Sequence, residues 1–227
     1  MARKRSTSGG RATVERCGGR PMILFVCEGN VCRSVLAAGV LRQALTTAQG
    51  VTVGSAGKHA LAGEAADPVT AGIAARLGVS LDGHRARQLT PELLSAADMV
   101  VTATRQIRSA AVQTYPPSVK YSFTIKQLSR ILKSAQAGFD SGGLTGPALV
   151  VALARSVNQE KGRLIVPQGD DDDIADPRGR ALRVHEQSAE AIVEAVGELA
   201  KALGVVPVPW TPPRLTQRWE FPRTATG

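Results

Sequence analysis

The chain has 227 residues, of which 43% are hydrophobic and 21% charged, with a formal net charge of +9. That balance belongs to a globular protein, and the length excludes a small disulfide-stapled scaffold. The apolar runs Met22–Cys27 and Pro147–Ala154 are far shorter than the ~20 residues a membrane helix needs. The basic N-terminus does not lead into a signal peptide, because the apolar stretch after Arg20 is only seven residues long and ends at Glu28.

The charge is unevenly placed. Residues 1–20 carry six Arg or Lys against Glu15, a net of +5, and residues 204–227 carry three Arg against Glu220, a net of +2. The remaining stretch is left with only +2, so a nucleic-acid partner is not needed to explain the total. Residues 1–20, rich in Arg, Ser and Gly, read as a disordered basic arm. Residues 204–227, with Pro207, Pro209, Pro212, Pro213 and Pro222 around Trp210 and Trp219, read as an extended tail. Three cysteines, with Cys27 and Cys32 in one short segment, argue against a secreted disulfide framework and for a reducing, cytoplasmic setting.

Between the arms, residues 21–203 alternate strand-like and helix-like signals. Met22–Cys27 is a continuous apolar run of the kind that forms a parallel strand buried on both faces. A helix follows from Ser34, with Ala38, Leu41 and Leu45 on one side. Val51–Val53 reads as a second strand. Asp67 caps a helix that opens with Pro68 and places Ile73 and Leu77 on one face. Asp98–Thr102 is a third strand and Val119–Phe123 a fourth, leading into a helix around Leu128–Leu132. Ala148–Arg155 reads as helix and Pro167–Pro177 as polar loop, with Asp170–Asp173 as a solvated acidic run rather than a metal site. The last helix starts near Ala181 and carries Ile192, Val196, Leu199 and Leu203. This alternation predicts an α/β domain built on a small open four-stranded parallel sheet, with helices on both faces.

The chemistry lies in Cys27-Glu28-Gly29-Asn30-Val31-Cys32-Arg33-Ser34. A loop leaving a strand's carboxyl end and entering a helix N-terminus can turn its N–H groups into an anion cradle. Gly29 is expected to supply unusual backbone angles. Arg33 offers a planar fork for two phosphate oxygens. The same positive surroundings favour a Cys27 thiolate, a nucleophile for phosphoryl transfer. Ser34 is placed to donate a hydrogen bond to that sulfur.

This string resembles the signature of the low-molecular-weight protein tyrosine phosphatase family, a Cys and an Arg-Ser/Thr separated by five residues. The resemblance continues in Val53-Gly-Ser-Ala-Gly57, His84-Arg-Ala-Arg-Gln-Leu89, Ala97-Asp-Met-Val-Val101 and Asp176-Pro177. It implies hydrolysis of phosphomonoesters without metal or other cofactor. It assigns Cys27, Arg33 and Asp176 to catalysis, Asp176 as general acid, and residues Glu28 to Ser34 to phosphate binding. Asn30, Ser34, Ser55 and His84 match residues that brace the loop, and Cys32 matches a position able to form a reversible disulfide with the nucleophile. By analogy with bacterial relatives, the partner is a phosphorylated protein, such as a tyrosine kinase of polysaccharide export.

The chain departs from the family where aromatic walls are usual. Arg178-Gly179 follows Asp176-Pro177, Lys58-His-Ala-Leu61 follows Gly57, and Val35 stands in place of a proline. A phosphoarginine phosphatase and a weakly catalytic phosphoprotein-binding module therefore stand as alternatives. An arsenate reductase is disfavoured, because no cysteine follows Cys32 to relay a disulfide.

Overall fold

The computed structural model describes residues 21–45, 50–135, 143–161 and 172–204. The arm at 1–20 and the tail beyond Gly204, with Trp210 and Trp219, lie outside the described residues. Four parallel strands form one sheet in the order β2-β1-β3-β4. They are β1 (Met22–Cys27), β2 (Thr52–Gly57), β3 (Met99–Thr102) and β4 (Ser122–Thr124). The helices are α1 (Arg33–Ala44), α2 (Pro68–Arg76), α3 (Pro91–Ala96), α4 (Arg105–Thr114), α5 (Ile125–Ala135), α6 (Gly146–Glu160) and α7 (Leu182–Ala202).

The strand period of two sorts the core. Ile23, Phe25, Met99, Val101 and Phe123 face one side and pack with Leu41 of α1, Leu128 of α5, Leu153 of α6 and Ile192 of α7. Leu24, Val26 and Val100 face the other, against Leu94 of α3 and Ile107 of α4. Burial on both faces is why β1 reads as an unbroken apolar run. The sheet is the expected open parallel one with helices on both sides.

β1 is central, paired with β2 on one edge and β3 on the other. The chain leaves β1 toward β2 and later crosses to β3, so the loop after β1 emerges at a topological switch point, where open α/β sheets bind ligands.

Two strand boundaries differ from the sequence reading, and two helices were not read there. β2 runs on to Gly57, so Ser55 lies within the strand opposite Phe25. Its small residues carry little β-propensity, but pairing with β1 holds them extended. β4 is confined to Ser122–Thr124, since residues Pro116–Lys120 form a 3-10 turn opened by two prolines. The helices α3 and α4 complete the second face, each capped by a threonine: Thr90 accepts from the Leu93 N–H and Thr104 from the Ile107 N–H.

Candidate active site

Residues 28–32 link β1 to α1, and the direction of each peptide group sets their chemistry. The carbonyls of Cys27, Glu28 and Gly29 accept from the N–H groups of Lys58, His59 and Leu61 at 2.9, 2.9 and 3.0 Å. The Asn30 carbonyl accepts from His84 Nε2 at 2.7 Å. Those of Val31 and Cys32 accept from the Asp67 and Leu36 N–H groups at 2.9 and 3.0 Å. In a trans peptide the C=O and the following N–H point in opposite directions. Six carbonyls drawn outward therefore turn the N–H groups of residues 28–33 inward, a ring of donors at the N-terminus of α1. The Asn30 N–H shows this direction, donating to Cys27 Sγ at 3.3 Å.

Cys27 is 2% exposed. Its sulfur lies 2.9 Å from Ser34 Oγ, which also accepts from Asn30 Nδ2 at 2.9 Å. Toward a thiolate, which has no proton to give, the Ser34 hydroxyl is the donor.

The left-handed residue of the loop is Asn30, at φ 58°, and not Gly29, which corrects the expectation drawn from glycine. Asparagine tolerates this region when its side chain is engaged, and here the amide holds both Ser34 Oγ and the Arg87 N–H, the latter at 2.9 Å. Glycine is demanded instead at Gly57, where a Cβ would lie 2.7 Å from the Glu28 carbonyl and 3.0 Å from the Asn30 nitrogen.

Arg33, 5% exposed, reaches across to the segment before α7. Its Nη1 donates to the Ile174 carbonyl at 3.0 Å and its Nη2 to Asp176 Oδ2 at 2.5 Å, while its buried Nε has no hydrogen-bond partner among the described residues. Asp176 is 44% exposed, and its other oxygen accepts from the Arg178 N–H at 3.2 Å. The fold thus pairs Arg33 with Asp176 at the end of the loop that begins at Cys27.

Ser55 contributes through its backbone, its carbonyl accepting from Arg87 Nε at 2.8 Å. Burial holds the His84 imidazole below its ordinary value, helped by the cations Arg42, Arg85 and Arg87 and opposed by the bond to Asn30. The neutral ring therefore donates through Nε2. Burial pushes the Cys32 thiol up to about 12, against a hydrogen bond with Thr70 that lowers it. Behind Thr70 lies the buried His185 of α7, its Nδ1 3.5 Å from Thr70 Oγ1 and 3.7 Å from Asp67 Oδ1. Asp67 caps α2 as expected, accepting from the Thr70 N–H at 3.0 Å.

Several positioning residues were not assigned from the sequence. Arg87 and Gln88 sit in the same short stretch as His84, and Gln88 braces the wall at 58–61 by accepting from the Ala60 N–H and donating to the Lys58 carbonyl. Of the acidic run, Asp172 is not solvated: it is 3% exposed and ion-paired with Arg130. Asp173 accepts from the Arg105 N–H at 2.7 Å, at the start of α4. Ser188 of α7 donates to the Ala175 carbonyl at 2.9 Å. At the rim, in the segment 58–61 that departs from the family's aromatic wall, His59 Nδ1 meets Glu28 Oε1 at 2.5 Å.

The switch point of an open parallel sheet thus holds a loop with a buried cysteine at its start, inward backbone amides, and a buried arginine at the N-terminus of α1. The model for low molecular weight phosphotyrosine protein phosphatases matches residues 22–138, more than half of the chain, and the chain belongs to that family. It is 48% identical over 79 residues to a probable low molecular weight protein-tyrosine-phosphatase, EpsP, of Ralstonia solanacearum, covering 35% of this chain and 52% of that one. It is 31% identical over 127 residues to the low molecular weight protein-tyrosine-phosphatase Ptp of Acinetobacter johnsonii, covering 54% and 87%. The chain thus spans about half the length of EpsP. Among solved structures, the YwlE arginine phosphatase of Geobacillus stearothermophilus superposes with a TM-score of 0.59 at 27% identity, over 81% of this chain and 93% of that one. Asp176 lies beyond the matched residues, separated from them by the excursion that carries α6.

Proposed function

We propose that the chain is a phosphomonoester hydrolase, a protein-tyrosine phosphatase working through a phosphocysteine. The observation that carries this reading is the Cys27 sulfur, held by the Ser34 hydroxyl and the Asn30 N–H beneath a ring of inward amides, with Arg33 bridging to Asp176.

In the first step the Cys27 thiolate attacks phosphorus in line. The S–P bond forms and the bond to the ester oxygen breaks, while Asp176 gives its proton to that oxygen. Arg33 and the loop amides hold the equatorial oxygens, where charge stabilisation is most effective. In the second step Asp176 takes a proton from water as its oxygen attacks phosphorus, and the sulfur leaves as thiolate, stabilised by Ser34. Acid–base catalysis of this kind is worth about 10²–10⁴-fold. Cys32, a buried thiol, takes the resolving role: once an oxidant converts Cys27 to a sulfenic acid, the Cys32 sulfur displaces water to form a disulfide.

The substrate is a phosphorylated protein, and a tyrosine kinase of polysaccharide export is the partner that family analogy offers. The domain limits are 21–203, with the basic arm and the Pro/Trp tail as appendages.

The purified chain is expected to hydrolyse p-nitrophenyl phosphate under reducing conditions and Cys27→Ser to be inactive; turnover by that variant would exclude the mechanism. Matched peptides bearing phosphotyrosine, phosphoserine and phosphoarginine then set the class. Preference for phosphoarginine would favour the second reading, which the likeness to an arginine phosphatase and the polar rim at Glu28 and His59 support.

A further inference from the structure

We infer that the ion pair between Arg130 of α5 and Asp172 is a clamp that fixes the acid loop across the α6 excursion, which makes Arg130 a positioning residue for Asp176. The inference rests on the phosphatase reading above and adds a residue to it.

Asp172 is 3% exposed, and Arg130 meets it with both terminal nitrogens, Nη1 on Oδ1 and Nη2 on Oδ2, the latter at 3.4 Å. A carboxylate buried to that degree is retained only when paired, and a two-nitrogen fork fixes direction as well as distance. Arg108 of α4 adds a second attractive cation toward the same carboxylate. Asp172 is thus bound by a cation on α5 and attracted by another on α4, helices on opposite faces of the sheet.

Its place in the chain gives the pair a task. The two residues are 42 positions apart, and between them the chain leaves α5, builds α6 and returns. Asp172 opens the described acid loop. From it the loop is fastened step by step: Asp173 to the start of α4, the Ile174 N–H to the Ala103 carbonyl at 2.9 Å, and the Ile174 carbonyl to Arg33 at 3.0 Å. Asp176 follows two residues later. Without the first fastening, the end of a long excursion connects directly to the limb that carries the acid. A misplacement of about 1 Å at a reacting group can cost on the order of 100-fold.

The test compares kcat/KM for phenyl phosphate and 2,4-dinitrophenyl phosphate on the full chain, a constant that reports transfer to Cys27 and not the later hydrolysis, common to both esters, in which Asp176 is the base. Dinitrophenolate leaves without help, whereas phenolate needs the proton from Asp176. Asp176→Asn should lose about 10²-fold or more on phenyl phosphate and little on the dinitrophenyl ester. Arg130→Gln and Asp172→Asn should show the same selectivity, roughly ten-fold loss on the first and less than about two-fold on the second, with Arg130→Lys intermediate. If the single variants fail to fold, the pair Arg130→Met with Asp172→Leu leaves no buried charge and carries the same comparison. Equal losses on both esters, or none, in variants that fold would overturn the clamp while Asp176→Asn remains selective. An Asp176→Asn enzyme without selectivity would overturn the acid assignment and the clamp with it.

Discussion

Asn30 is where backbone geometry and catalytic chemistry meet. It is fully buried, sits at φ 58°, and its side chain satisfies the Arg87 N–H and Ser34 Oγ. Asn30→Ala removes both bonds and places a Cβ in the left-handed region without a compensating side chain. The orphaned Arg87 N–H costs about 1–3 kcal/mol, and left-handed alanine about 1 kcal/mol or more. The expected loss is roughly 2–5 kcal/mol, a large part of the ~5–15 kcal/mol that holds a domain together.

Asn30→Gly loses the same hydrogen bonds but not the backbone fit, and should be about 1 kcal/mol more stable than the alanine variant. Asn30→Asp keeps an acceptor for Arg87 and turns a donor into a negative charge facing Ser34 and Cys27. It should fold better than alanine yet react more slowly, because the thiolate is opposed. Urea unfolding ranks the stabilities, and the pH dependence of Cys27 alkylation by iodoacetamide reads the thiol. Equal stability of the alanine and glycine variants would refute the strain argument, and an unmoved alkylation profile in Asn30→Asp would refute the electrostatic one.

Two further outcomes concern His84 and Cys32. The folded His84 value lies below its ordinary 6.5, so the unfolded chain takes up the proton first and folding loses stability as pH falls below about 6.5. Against His84→Gln, which keeps an amide donor for the Asn30 carbonyl, the wild-type stability advantage should shrink over that range; a constant difference would contradict it. For Cys32, activity lost to peroxide should return with dithiothreitol in the wild type and not in Cys32→Ser; equal recovery would remove the resolving role.

The strands and the cysteine loop were legible because each is local. Six apolar residues in a row specify β1, and a Cys and an Arg at loop spacing before a helix specify an anion site. What escaped was set by partners distant in sequence. Gly54 to Gly57 looks like a turn until β1 pairs with it. A run of aspartates looks solvated until Arg130 and Arg105 arrive from α5 and α4. Gly29 was favoured for the unusual angle because glycine is cheapest there, but Asn30 takes it because a side chain engaged at both ends repays the strain. The helices capped by Thr90 and Thr104 also went unread, although each threonine stands directly before its helix, with Pro91 at the first position of α3.

Arg33 serves two masters, and that division predicts how phosphate enters. Its Nη1 is committed to Ile174, its Nη2 to Asp176, and its buried Nε has no hydrogen-bond partner among the described residues. A phosphate that takes two guanidinium hydrogens along the edge of Nε and Nη2 meets the Asp176 carboxylate at Nη2, and the two anions compete there. The carboxylate is then a competitor of inorganic phosphate in the empty site. At 44% exposure the pair is worth about 1 kcal/mol or less. Asp176→Asn should bind phosphate a few-fold more tightly while turning over phenyl phosphate more slowly, opposite movements in two constants of one variant. Weaker binding of phosphate in isothermal titration would show that Asp176 assists the anion rather than competing with it, and would refute the exchange.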